Sequence, residues 1–224
     1  IPQGDWSSDV CSSDLMDSLE SKIVVIGPPD VGKTCLSIRY VRGRFTEHST
    51  TTIGASFFMK TVTSGDMSIT MKIWDTAGQE VFRSMSSLYY KDVDGAIIVF
   101  DASRPETMNV LNGWLNELNQ HNAGRQFPLL LACNKMDKSV RLDKQAVEEY
   151  ARSIHARVFY TSAKTGENVD ALFTELATSI ISRKRSEMLS AASNYSSAAV
   201  TPAAQPEPVR SEERRVGKEC RSRW

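Results

Sequence analysis

"KIVVIGPPDVGKT", residues 22–34, is a short apolar run that passes directly into the frame G-x-x-x-x-G-K-[ST]. The run reads as a buried strand, and "KTCLSIRYV" behind it sets Leu36, Tyr40 and Val41 at helical spacing. Strand, glycine-bracketed loop and helix, in that order, form a phosphate cradle made of backbone N–H groups and a helix N-terminus. Pro28 and Pro29 occupy two of the variable positions, and proline has no N–H to give. The expected donors come later, so the binding stretch is Asp30, Val31, Gly32, Lys33, Thr34 and Cys35. Lys33 would reach the outer phosphates and the Thr34 hydroxyl would take Mg²⁺. By glycine frequency alone the frame arises by chance in about one chain per hundred of this length, so it needs support.

That support begins with the pattern of elements. Phe57 to Val62 and Ile69 to Trp74 read as strands joined by a turn, and "GAIIVFD" and "LLLACN" as strands buried on both faces. Helical patterns span Pro105 to Asn119, Lys144 to Ile154 and Val169 to Ile181. The last carries Val169, Leu172, Phe173, Leu176 and Ile180 on one stripe. Alternation of this kind predicts an α/β domain with a mostly parallel sheet. From Ser190 to Val209 the chain is small, polar and Pro-containing, and reads as a flexible tail.

Composition narrows the class. Lys+Arg and Asp+Glu are 27 each, so no basic excess argues for nucleic acid. No apolar run is long enough to span a bilayer. The four cysteines form no dense framework and no metal-ligand spacing; Cys35 and Cys133 sit in apolar segments as expected buried thiols, which suits a reducing cytosol.

Three later motifs specify the ligand. "WDTAGQE", residues 74–80, ends a strand with Asp75, suited to a water-mediated Mg²⁺ contact; Gly78 offers an N–H to a γ-phosphate and Gln79 could orient an attacking water. "NKMD", residues 134–137, lies at the carboxyl end of a strand, where open α/β sheets bind ligands. Asp137 can accept two hydrogen bonds from the edge of guanine, while Asn134 and Lys135 brace the loop and base. "TSAK", residues 161–164, brings Ser162, Ala163 and Lys164, with the Ala163 N–H placed to meet the guanine O6. Each tetrapeptide alone is more often a plain turn; in this order at strand ends they specify a guanine nucleotide.

"GPPDVGKT", "TTIG", "WDTAGQE", "NKMD" and "TSAK" together resemble the motif set of the Ras superfamily of small GTPases over residues 20–185. The resemblance implies a P-loop fold with a six-stranded, mostly parallel sheet, one antiparallel edge strand and five flanking helices. It implies Mg²⁺ as cofactor, Thr52 as the γ-phosphate-sensing and Mg²⁺-binding threonine, and Phe45 as the aromatic packed on guanine. "TIGASFF", "KIWDTAGQE" and "SLYYKDVDGAIIVFD" resemble the Rab branch, whose effector-facing aromatics map onto Phe57, Trp74 and Tyr89. "ASFFMKTV" and "YARSIHA" resemble its early-endosomal members. The implied activity is a vesicle-trafficking switch: GTP orders two loops (about 47–55 and 78–87), and slow hydrolysis, with Gln79 and Lys33 catalytic, releases them. Effectors, an exchange factor and an activating protein that supplies an arginine are the implied partners of a monomer. A nucleotide-locked module with negligible turnover is one alternative, because Pro29 lies near the γ-phosphate. A small-molecule kinase is another, but would leave "NKMD" and "TSAK" without purpose. Val81 also departs from the arginine usual after "GQE".

The chain ends read differently. "CSSDL" and "RSEE" can be back-translated to reverse-complementary strings that resemble a sequencing adaptor, so 1–15 and 210–224 are expected to be non-native. That leaves a GTPase domain over 16–185 and a tail over 186–209. The paired prenylated cysteines of the Rab branch are absent, and Cys220 does not replace them. The chain as written is therefore expected in the cytosol. The natural protein is expected on the cytosolic face of endosomal membranes, through a lipid anchor.

Overall fold

The computed structural model describes residues 18–46, 51–64, 67–79, 86–139 and 142–198. Its strands are β1 (Ser18–Ile26), β2 (Ala55–Ser64), β3 (Met67–Thr76), β4 (Gly95–Asp101), β5 (Leu129–Asn134) and β6 (Arg157–Tyr160). The helices among the described residues are α1 (Lys33–Arg42), α2 (Ser86–Tyr90), α3 (Glu106–Asn109), α4 (Leu111–His121), α5 (Lys144–Ser153) and α6 (Val169–Ala198).

One six-stranded sheet runs β2-β3-β1-β4-β5-β6. Only β2 is antiparallel, pairing with β3 from Ala55 opposite Thr76 to Ser64 opposite Met67. The other pairs are parallel. Side chains alternate across β1: Ile23 and Val25 join the layer under α1 and α6, while Val24 and Ile26 join the layer under α4 and α5. Both faces are covered, which is why β4 is buried along its whole length and reads as an unbroken apolar run. The chain leaves β1 toward β3 on one side and β4 on the other, so the strand order reverses beside the phosphate loop. Ligands bind open α/β sheets at such a point.

The stripe on α6 is buried as its spacing predicts: Val169, Leu172, Phe173, Leu176 and Ile180 are at most 1% exposed. Phe173 stacks on Tyr40 of α1 at 4.1 Å, which fixes the two helices side by side. Three expectations need correcting. The helix expected over Pro105 to Asn119 is two, because the Val110 N–H bonds the Met108 carbonyl and Gly113 bonds Val110, interrupting the ladder. Helicity in α6 continues to Ala198, so Ser190 to Ala198 is helical where composition suggested a flexible tail; no Gly or Pro interrupts the helix before that point. Cys133 is buried, but Cys35 is only half-buried. The chain divides into two compact units, 1–186 and 187–224.

Candidate nucleotide site

A cleft of about 620 Å³ opens at the carboxyl ends of the strands. Its floor is the loop from Gly27 to Gly32. Gly27 has φ +139°, and a Cβ there would stand 2.3 Å from the Val99 carbonyl oxygen. Gly32 has φ +94°, and its Cβ would meet Asn134 Nδ2 at 2.5 Å. Both positions need glycine for conformation and for space. Asp30 takes the left-handed region with a side chain, at φ +61°. Pro28 is buried and Pro29 is exposed on the wall of the cleft, both ahead of the helix whose first N–H groups have no intrahelical acceptor.

Lys33 folds back over this loop and donates to the Gly27 and Pro28 carbonyls, each at 2.8 Å. Burial lowers its pKa to about 8, with the negative charges of Asp75 and Asp30 pulling the other way. Facing it, a Cβ on Gly78 would fall 2.6 Å from Lys33 Nζ and from the Pro28 carbonyl, so only glycine lets this segment approach. Gly54 O accepts from Ala77 N at 2.8 Å, tying the start of β2 to the end of β3.

The Thr34 and Thr52 hydroxyls are hydrogen-bonded to each other at 2.8 Å. Below them lies Asp75, fully buried, and neither carboxylate oxygen has a hydrogen-bond partner. Burial pushes its pKa up to about 6; Thr34, close but outside bonding geometry, and the Lys33 charge draw it back. An orphaned buried carboxylate costs several kcal/mol unless something compensates it, by the order of magnitude for buried charge. A hard cation held by two hydroxyls and phosphate oxygens, with water between it and Asp75, would do so, and this donor set fits Mg²⁺. No cluster of three His, Cys, Asp or Glu competes for that role among the described residues. Bound there, Mg²⁺ supplies charge neutralisation at the outer phosphates.

The other end of the cleft is cross-braced. Asn134 Nδ2 donates to Val31 O at 2.8 Å, while its Oδ1 accepts from Ala163 N at 3.2 Å. Lys135 Nζ bonds the Asp30 carbonyl and, at 2.8 Å, Asp101 Oδ2. Asp137 Oδ1 accepts from Ser162 Oγ at 2.6 Å, leaving the exposed remainder of the carboxylate facing outward. Burial alone would raise the Asp101 pKa, but hydrogen bonds from Lys135 and Ser103 and the Lys135 charge hold it below its ordinary value.

Of the residues expected from sequence, Asp30, Gly32, Lys33, Thr34, Cys35, Phe45, Thr52, Gly78, Gln79, Asn134, Lys135, Asp137, Ala163 and Lys164 line the cleft. Val31, Asp75 and Ser162 lie behind it and act through neighbours. Ala163 N–H, expected to meet guanine O6, is given to Asn134 here. Positions 47–50 and 80–85 of the two expected switch loops, and Val81 with them, lie outside the described residues. Asp101 was missed, although a carboxylate ending a buried parallel strand is a positional signal. So was Arg104, which bonds Asp101 and the Asp30 carbonyl and carries no motif.

On the sheet surface next to the cleft, Phe57 and Trp74 pair across β2 and β3 with ring centroids 5.0 Å apart, and Tyr89 lies 5.5 Å from Trp74. Phe57 is 47% exposed, and Ile53, four residues before it, and Leu88, next to Tyr89 in sequence, are exposed as well. Trp74 is half-buried and packs partly on the core, so it is both support and surface.

A phosphate loop, a hydroxyl pair over an orphaned carboxylate and a braced base-side loop define a P-loop nucleotide-binding domain. Comparison with known proteins makes this specific. The Ras family model matches residues 22–182. The chain is 40% identical over 175 residues to the Ras-related protein RabJ of Dictyostelium discoideum, spanning 77% of this chain and 68% of that one. It is 37% identical to Rab-5B of Plasmodium falciparum (72% and 78% covered) and 38% identical to Rab-30 of Homo sapiens (75% and 83%). The chain belongs to the Ras family, in its Rab branch: a small GTPase that hydrolyses GTP and regulates membrane traffic. Ras-family GTPases work with GTP, GDP and Mg²⁺, and Rab GTPases engage effectors, exchange factors and activating proteins.

Proposed function

We propose that the cleft holds GTP with its phosphates at Lys33, Thr34 and the loop N–H groups, and its guanine between Phe45, Lys135 and Asp137. The observation that carries this reading is one cleft lined at one end by Lys33, Thr34 and Thr52 and at the other by Asn134, Asp137 and Ala163. Thr52 and Gly78 sense the γ-phosphate, and Gln79, exposed at the wall, orients the attacking water. Turnover rather than a nucleotide-locked state is favoured by membership of the GTPase family. The domain is the stretch 16–185, consistent with the boundary of the first compact unit.

Two hydrogen bonds from guanine to Asp137 contribute about 1.5–3 kcal/mol each, so GTP is preferred over ATP by on the order of 10² to 10⁴. Competition binding with both nucleotides checks this, and Asp137→Ala erases most of the preference. Equal affinity of the unmutated protein for the two would overturn the reading.

Phe57, Trp74 and Tyr89 form the effector-facing surface, an aromatic cluster with Phe57 exposed and Trp74 and Tyr89 half-buried behind it, of the kind that anchors interfaces. Trp74→Ala weakens GTP-dependent capture of an effector about tenfold or more by the usual cost of an aromatic hot spot, with nucleotide affinity unchanged. A fall in thermal stability without loss of capture contradicts that assignment. The resemblance of "ASFFMKTV" and "YARSIHA" to early-endosomal members, with the Rab-5B relative, supports an endosomal site of action. Partition of the GTP-loaded full-length protein to another compartment in cells would refute it.

A further inference from the structure

Arg39 belongs to none of the motifs that mark the cleft. It lies on α1, the helix that begins at Lys33, and its guanidinium makes three hydrogen bonds to carbonyl oxygens. Nε donates to Ala163 O at 2.8 Å, Nη2 to Lys164 O, and Nη1 to Gly43 O at 2.9 Å. The first two acceptors are consecutive peptide units of the loop after β6, joined to α1 across 124 and 125 positions of sequence.

A trans peptide is planar, with its C=O and N–H pointing in opposite directions. Holding the Ala163 carbonyl against the guanidinium therefore turns the Lys164 N–H to the opposite side, where Ala163 and Lys164 line the cleft. Holding the Lys164 carbonyl turns the Thr165 N–H into the loop, and that N–H donates to Ser162 Oγ at 3.1 Å. Ser162 Oγ in turn donates to Asp137. The guanidinium holds the two carbonyls from separate nitrogens in one rigid plane, which fixes their relative orientation; an ammonium donates from a single, freely rotating nitrogen. The Gly43 bond anchors the guanidinium at the end of α1, whose last turn closes with Gly43 N–H on Arg39 O at 2.9 Å.

We propose that Arg39 is a positioning residue for guanine recognition: by holding the Ala163 carbonyl it sets the Ala163–Lys164 peptide plane, which turns the Lys164 N–H toward the oxygen at position 6 of the base. This rests on the guanine reading above. Asp137 reads the other edge, at N1 and the 2-amino group, so removal of the 2-amino group alone probes the Asp137 side without touching the 6-oxygen.

The test uses the full chain, stripped of nucleotide and titrated with GDP, inosine diphosphate (no 2-amino group) and 2-aminopurine riboside diphosphate (no 6-oxygen and, with it, no N1 hydrogen), the change on substitution of Arg39 rather than the starting ratio being the readout. The unmutated protein prefers GDP to both. In Arg39→Lys, which keeps charge and stem, and in Arg39→Gln, the advantage of GDP over the 2-aminopurine nucleotide shrinks about tenfold, while its advantage over inosine diphosphate holds to about twofold. Lower thermal stability with both ratios unchanged would make Arg39 a mere brace and overturn the proposal. Equal collapse of both ratios would overturn it too, as general loss of the base loops. An unmutated protein that binds GDP and the 2-aminopurine nucleotide equally would sink the guanine reading itself and Arg39's role with it.

Discussion

The two ends of the cleft are built in opposite ways. At the base end, Asn134 and Asp137 are bonded to the loop of Ala163 and Ser162, Asn134 and Lys135 also brace the phosphate loop at Val31 and Asp30, and Arg39 closes the set from behind. At the phosphate end, Asp75 is buried without a partner, Lys33 is tied only to carbonyls of its own loop, and two threonine hydroxyls face each other. The base end is complete without ligand; the phosphate end holds a buried carboxylate with no hydrogen-bond donor, which the Lys33 charge offsets only in part. A switch needs this division. Guanine must be held equally well in both nucleotide states, so its site gains nothing by moving. The γ-phosphate must change the protein, so its site is left in deficit until that group arrives.

The largest effect expected from this contrast is at Lys33. Lys33→Ala removes a charge-assisted contact to the outer phosphates and lowers GDP and GTP affinity by about 10²-fold or more. The ratio of GDP to ADP affinity stays as it was, because the base end does not depend on Lys33. Equilibrium titration with both nucleotides measures it. A collapse of base preference in this variant would show that the two ends are not separable.

A smaller effect appears in the pH dependence of the nucleotide-free protein. Asp75 has its pKa raised to about 6 from 3.8, so the stability linked to it is fully present below 3.8 and lost as pH rises through 6. Lys33 has its pKa lowered to about 8 from 10.5, so its contribution is present above 10.5 and lost as pH falls through 8. Between about 6 and 8 both groups are charged and the empty site is at its least favourable. Denaturant unfolding across this range gains stability toward each side of the window from these two groups. Asp75→Asn flattens the acid limb and Lys33→Met the alkaline one. Loading with nucleotide and Mg²⁺ shallows the minimum. Unchanged limbs in both variants would remove these two residues from the account.

The same contrast explains what could be read from sequence. The phosphate loop was legible because its chemistry is local: Gly27, Gly32 and Lys33 work within one strand–loop–helix unit. "NKMD" and "TSAK" were legible through spacing and position at strand ends. Arg39, Asp101 and Arg104 were not, because each acts through a contact that exists only once distant loops are brought together. Asp75 was expected beneath Mg²⁺, but its isolation from every hydrogen-bond donor is a property of packing that no motif encodes. The sheet followed from apolar runs, whereas the break at Val110 left the apolar stripe intact and so left no trace in periodicity. The extension of α6 to Ala198 was hidden because the stretch has no apolar stripe to mark it, while the first helix-breaking residue, Pro202, lies beyond it in sequence.

Backbone amide hydrogen exchange tests the division between the two ends most directly. The protein is compared nucleotide-free, with GDP, and with a non-hydrolysable GTP analogue, each nucleotide with Mg²⁺. Amides of 134–137 and 161–166 should already be protected without nucleotide and should differ little between GDP and the analogue. Amides of 51–54 and 76–79 should gain protection with the analogue well beyond that with GDP. Equal protection of 51–54 and 76–79 in both nucleotide states, or base loops that become protected only with the analogue, would contradict the account.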